Sequence, residues 1–173
     1  MIDFSTLHNA LLGLKRDDLV FAVDKSSSGS KKFCVGAPAL CHASYSTLVK
    51  NSGTVHWYEV LLQDRGTRLF LDVESTTRSR EEVVSALRSF LALVHMCTAK
   101  ISGGRDDSYA WLDSCRSGKV SFHIIGSLYF ESVSHVGALV RQCYCAVREI
   151  MMGELPPPKG VDKDSLQWLF EIG

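Results

Sequence analysis

The residues best suited to chemistry in this chain lie in two short alternating stretches. Arg68 to Glu74 reads Arg-Leu-Phe-Leu-Asp-Val-Glu, an apolar run that ends in two carboxylates one residue apart. Side chains of a β-strand point alternately to its two faces, so Leu69, Leu71 and Val73 share one face and Phe70, Asp72 and Glu74 the other. Carboxylates held that close resist ionising together unless a cation lies between them. Lys119 to Ile125 alternates in the same way, with Val120, Phe122 and Ile124 on one face and Lys119, Ser121 and His123 on the other. An ammonium, a hydroxyl and an imidazole in one row are phosphate-binding groups. With both strands in one sheet, two carboxylates would face these three groups, which is a metal-and-phosphate site in outline. The plain alternative for the acidic run is a strand end passing out into solvent.

Several elements must position these strands. Ser79-Arg80-Glu81-Glu82 has the S-x-x-E form of a capping box, and Val83, Leu87, Phe90, Leu91 and Val94 continue at helical spacing. Gly103 to Ser108 reads as a loop and Tyr109 to Asp113 as a short strand. Gly126 to Glu131 extends the Lys-x-Ser-x-His strand or pairs with it. Ser134 is placed to cap a further helix, with Val136, Leu139, Val140, Cys143, Val147 and Ile150 on one face. Pro156-Pro157-Pro158 interrupts the chain, and Ser165 to Ile172 is apolar but too short to assign. From residue 67 the order is strand, helix, strand, strand, helix, that of an RRM-like β-α-β-β-α-β unit without its last strand. Helices on one side of such a sheet would leave the other side for the site. The aromatic-glycine signature of RNA-binding RRMs is missing, which argues against that use of the unit.

Upstream, Ser5 to Leu14 reads as a helix with Ser5 as its cap, and Leu19 to Val23 as a strand. Lys25 to Ser30 is a Ser/Gly connection, from which Lys32 to Val35 would pair back as a hairpin. Ala39 to Lys50 follows Pro38 as a second helix, and His56 to Leu61 is an aromatic-rich extended stretch. The expected class is α+β: an N-terminal α/β module over 1–62 and an RRM-like module over 63–173, together forming one core.

Composition excludes several functions. At 173 residues, with 46% hydrophobic and 22% charged residues, the chain is ordinary for a folded protein. The net charge is +0, so no bulk basic field attracts nucleic acid. Positive charge is nonetheless uneven, with Arg65, Arg68, Arg78, Arg80, Arg105, Arg116 and Lys119 crowding around the two strands. No uninterrupted apolar run approaches the roughly 18 residues of a membrane span, and no basic-apolar leader opens the chain. These features point to an intracellular protein that does not use a membrane. The six cysteines form no C-x-x-C pair and are expected as free, mostly buried thiols. Cys143-Tyr144-Cys145 beside His135 has the wrong spacing for common structural zinc sites.

Asp72-Val73-Glu74 and Ser121-Phe122-His123 resemble the h-h-h-D-h-E and S-x-H motifs of the archaeo-eukaryotic primase superfamily. The likeness is closest to its eukaryotic and viral primase-polymerase branch. His56-Trp57-Tyr58-Glu59-Val60 is similar to that branch's H-x-Y-E-V segment. Lys119 ahead of Ser121 and His135-Val136-Gly137 at the following helix also fit. The resemblance runs from roughly Leu19 to Ile150 and implies DNA-templated nucleotidyl transfer by two-metal chemistry. It implies that Asp72 and Glu74 bind Mg²⁺ or Mn²⁺, and that Lys119, Ser121 and His123 grip a nucleoside triphosphate, with His123 also counted among the catalytic groups. The implied partners are a DNA template-primer, nucleoside triphosphates and proteins of a replication complex, and the location would be the nucleus or mitochondrion if the source is a eukaryote.

One part of the family pattern is missing. A third acidic residue is expected on a later strand, after an apolar residue and followed by Tyr and a basic residue. Val161-Asp162 comes nearest but follows the proline run and lacks that sequel. The expectation is therefore a fragment or an incomplete core, with Asp162 away from the site. The alternative is a non-catalytic primase-fold subunit that acts as a scaffold or nucleic-acid-binding component of a larger complex. A D…E-x-K nuclease is excluded because Ser117 stands two before Lys119, where that motif needs an acid.

Overall fold

The computed structural model describes residues 2–12, 14–24, 31–52, 57–102 and 108–172. His56, Arg105 and the connection over 25–30 lie outside them. The chain is α+β, with antiparallel sheets in two compact units, Met1–Leu62 and Gln63–Gly173.

In the first unit the strands β1 (Ile2–Phe4), β2 (Leu19–Asp24), β3 (Lys31–Gly36) and β4 (Trp57–Glu59) are ordered β1-β3-β2-β4. The hairpin expected of Leu19–Val35 is formed, with Val20 opposite Val35 and Phe21 opposite Cys34. β1 escaped the sequence reading, since three residues show no periodicity. Helix α1 (Leu7–Leu12) starts later than expected because the Thr6 hydroxyl, rather than Ser5, accepts from Asn9 N–H at 3.3 Å. Helix α2 (Pro38–Ser52) begins at its proline, where a missing N–H costs nothing. The core here is small: Ala10, Val20 and Val35, flanked by Leu7, Leu14, Phe33, Val60 and Leu62.

In the second unit β5 (Thr67–Ser75), β6 (Tyr109–Asp113) and β7 (Val120–Phe130) form a sheet ordered β5-β7-β6, with α3 (Arg80–Ser102) and α4 (Val133–Met152) as its long helices. Among the described residues β5 has one strand neighbour, so the β-α-β-β-α run is present and its last strand is not. The alternation of β5 is realised residue by residue: Leu69 and Leu71 are buried, and Phe70, Asp72 and Glu74 are exposed. Leu69, Leu71, Phe122 and Ile124 pack with Val83, Leu87, Phe90 and Val94 of α3 and with Leu139, Cys143 and Val147 of α4. Each such side chain contributes roughly 1.5–3 kcal/mol by leaving water.

The capping box of α3 is made in both directions, with Ser79 N–H donating to Glu82 at 2.8 Å and Glu82 N–H to the Ser79 hydroxyl at 3.2 Å. The stretch Arg80–Ala99 is long and apolar enough to cross a membrane, which reading uninterrupted runs missed, yet half of it is buried inside this unit as a core helix. The cap of α4 is Ser132, which accepts from His135 N–H, and not Ser134. Gly126 to Phe130 extends β7 rather than forming a new strand. A Cβ at Gly126 would come within 3.0 Å of Leu69 Cβ, so glycine permits β5 and β7 to approach where their register shifts. The final apolar segment becomes a 3-10 turn (Asp164–Leu166) and helix α5 (Gln167–Ile172), burying Leu166, Trp168 and Leu169 in the same core. The cysteines are free thiols; Cys143 is buried with its Sγ 3.9 Å from that of Cys97, whereas Cys145 is exposed.

Candidate functional site

The register of β5 on β7 sets Asp72 opposite His123 and Glu74 opposite Ser121. Directly opposed residues of an antiparallel pair share a face, so the four side chains stand together on the side away from the helices. His123 Nε2 lies 3.3 Å from Asp72 Oδ1. The Ser121 hydroxyl, buried at 4% exposure, donates to Glu74 Oε1 at 3.4 Å. Lys119 Nζ forms an ion pair with the same Glu74 oxygen. Lys119 itself falls just outside β7, bridged backbone-to-backbone with Arg116 across the Ser117-Gly118 turn. Gly118, at φ 74, supplies the left-handed conformation this turn needs.

The face is graded in polarity. Phe70, Ile125 and Ala110 form one row across the sheet; Asp72, His123 and Leu112 form the next; Glu74 and Ser121, with Lys119, form the third. The Phe70 ring lies 5.8 Å from the His123 ring, and Phe70 and Leu112 are exposed. The apolar row escaped the sequence reading, although Ala110 and Leu112 alternate in β6 in a way that would have disclosed it.

Electrostatics follow from these contacts. The hydrogen bond from Lys119 holds the Glu74 carboxyl below the ordinary carboxylate range, with smaller contributions from Ser121 and from the charge of Arg116. Asp113, at the end of β6, is lowered to about 2 by Cys115 and by Arg80, whose Nη2 lies 2.8 Å away. Arg80 also covers the Phe122 ring at 5.5 Å, tying the site's edge to the core.

Asp72 and Glu74 are about half exposed and stand on one face. That suits one hard divalent cation, which takes one or two carboxylates and completes its shell with water and substrate phosphate. Among the described residues no group of three His, Cys, Asp or Glu converges on a metal-binding point, at Cys143-Tyr144-Cys145 or elsewhere. Asp162 is held elsewhere: its N–H donates to Ser89 on α3, its carboxylate accepts from Asp164 N–H, and its neighbour Val161 packs on the core. It therefore belongs to the helical side of the sheet. No family model and no curated protein matches this chain.

Proposed function

We propose that the chain is a primase-polymerase-type nucleotidyltransferase core that binds a nucleoside triphosphate and a DNA template-primer on the face of the β5–β7–β6 sheet opposite α3 and α4. One observation carries this reading: Asp72 and Glu74 stand in register with His123 and Ser121, and Lys119 is ion-paired with Glu74. Carboxylates facing three phosphate-binding groups suit phosphoryl transfer, in which the protein mostly positions groups and balances charge.

In this reading Lys119 contributes a point charge to the phosphates, the Ser121 hydroxyl a hydrogen bond, and the His123 imidazole a donor aimed from the row of Asp72. Asp72 orients the ring of His123 through the 3.3 Å contact. Phe70, Ile125 and Leu112 supply apolar surface for the sugar and base, beside the row that takes the phosphates. Asp72 and Glu74 would hold Mg²⁺ or Mn²⁺. Such an ion supplies charge neutralisation at the phosphate oxygens and a more acidic primer hydroxyl. Two carboxylates provide for one ion, so templated extension by this chain alone is expected to be weak. Titration of a fluorescent nucleoside triphosphate tests the reading, with Mn²⁺-dependent binding that weakens in Lys119→Ala and His123→Ala as the expected result.

The placement of Asp162 favours a second reading, a non-catalytic primase-fold subunit. Binding indifferent to Mn²⁺ and to both substitutions would select it.

A further inference from the structure

Next to the carboxylate rows lies a cavity of about 350 Å³ whose lining includes Thr76, Thr77, Arg78, Arg80, Arg116 and Lys119. Four of its lining residues are cations and none is an acid. The carboxylates that pair with these cations stand outside the lining: Glu82 and Glu171 with Arg78, Asp113 with Arg80, and Glu74 with Lys119. Arg116 makes no side-chain hydrogen bond or ion pair among the described residues and acts on Glu74 through its charge alone. The turn sets it directly opposite Lys119, and of these two like charges the Glu74 carboxylate is ion-paired only with Lys119, so a further anion beside Arg116 would relieve their repulsion. The opposite wall is equally preset. The buried Ser75 hydroxyl accepts from the N–H groups of Thr77 at 3.3 Å and Arg78 at 3.1 Å, which fixes the loop after β5. The hydroxyls of Thr76 and Thr77 are left without a partner among the described residues.

We infer that this cavity is a phosphate subsite, which takes the terminal phosphates of a nucleoside triphosphate whose inner end lies on the Glu74–Ser121 row. Arg116 is its principal ligand, because a guanidinium matches two phosphate oxygens at once. Lys119, with Thr76 and Thr77, completes the cradle. The inference rests on the proposed nucleotide reading for the identity of the ligand, and on the cavity alone for its being a phosphate.

The test separates the two. The full chain is titrated with inorganic tripolyphosphate, without metal or nucleic acid, and then with a nucleoside mono-, di- and triphosphate. Wild type, Arg116→Ala, Arg116→Lys and Arg68→Ala are compared, with melting temperatures confirming the fold. Arg116→Ala is expected to weaken tripolyphosphate about tenfold, equivalent to roughly 1.4 kcal/mol. Arg116→Lys should restore part of the loss, and Arg68→Ala should change nothing. Affinity that rises from mono- to triphosphate in wild type and is flattened in Arg116→Ala assigns the subsite to nucleotide. Tripolyphosphate weakened by Arg116→Ala while nucleosides add no affinity keeps the phosphate subsite and removes the nucleotide. A change of less than twofold in Arg116→Ala, or an equal loss in Arg68→Ala, overturns the subsite.

Discussion

The two faces of the β5–β7–β6 sheet are built from the same residues taken alternately, and they do opposite things. On one, Leu69, Leu71, Phe122 and Ile124 are sealed under α3 and α4. On the other, Phe70, Asp72, Glu74 and His123 remain accessible, held by partners on the neighbouring strand. Apolar burial is thus concentrated on one face and the candidate site on the other, and a residue's position in the alternation is expected to decide whether a substitution damages stability or binding.

The harshest challenge to that division is Phe122→Ala. Its side chain is 2% exposed and sits between Ser121 and His123 in sequence. A loss of about 3–5 kcal/mol in denaturant unfolding is expected. Neighbouring His123→Ala and Asp72→Asn should each stay within about 1 kcal/mol, as exposed pairs do. If all three cost the same, the faces do not divide the labour.

The converse measurement uses ligand. Lys119→Ala and His123→Ala should weaken a nucleoside triphosphate by roughly tenfold, about 1.4 kcal/mol each, with melting little changed. Leu71→Ala should destabilise the fold and leave the affinity of the remaining folded protein near that of wild type.

A smaller effect is expected at the helix that seals the core face. Ser79→Ala removes one half of the reciprocal cap on α3 and should cost about 1 kcal/mol in thermal or denaturant unfolding. No change in triphosphate affinity is expected from it.

The gentlest probe is acid. Asp113 is depressed to about 2 in the folded chain, against roughly 3.9 unfolded. Its contribution is complete above the unfolded value and is lost as pH falls through the folded one. Unfolding measured from pH 5 down to pH 2 should show a decline that is shallower in Asp113→Asn. Parallel curves would mean that the Arg80 and Cys115 contacts do not act on stability.

The second unit was more legible in the sequence than the first, for physical reasons. Strict alternation in β5 and β7 and the long apolar stripe of α3 are periodic signals over nine to twenty-three residues. β1 spans three residues and carries no period. The wrong cap at α4 reflects two serines two apart, of which only backbone geometry selects Ser132. Asp72, Glu74, Ser121 and His123 could be grouped from alternation alone, because register and face follow from it once the strands pair. Arg116 could be grouped only loosely with other cations, since its position against Lys119 depends on the Ser117-Gly118 turn. That Asp162 lies away from the site was legible from its proline-rich entry, but its docking against Ser89 was not, because that depends on how the chain folds back after three prolines.

Lys119 is a single cation with two claimants, Glu74 and the cavity. Whatever anion draws the ammonium away leaves Glu74 with a charge to be balanced, and a metal ion arriving at Glu74 releases the ammonium. Each event lowers the free-energy cost of the other, so anion and divalent cation would be heterotropic effectors, each raising the other's affinity by the same factor. The empty protein is then charge-balanced in its own right. In a loaded one Lys119 and Glu74 would each face a bound ion of opposite charge instead of each other.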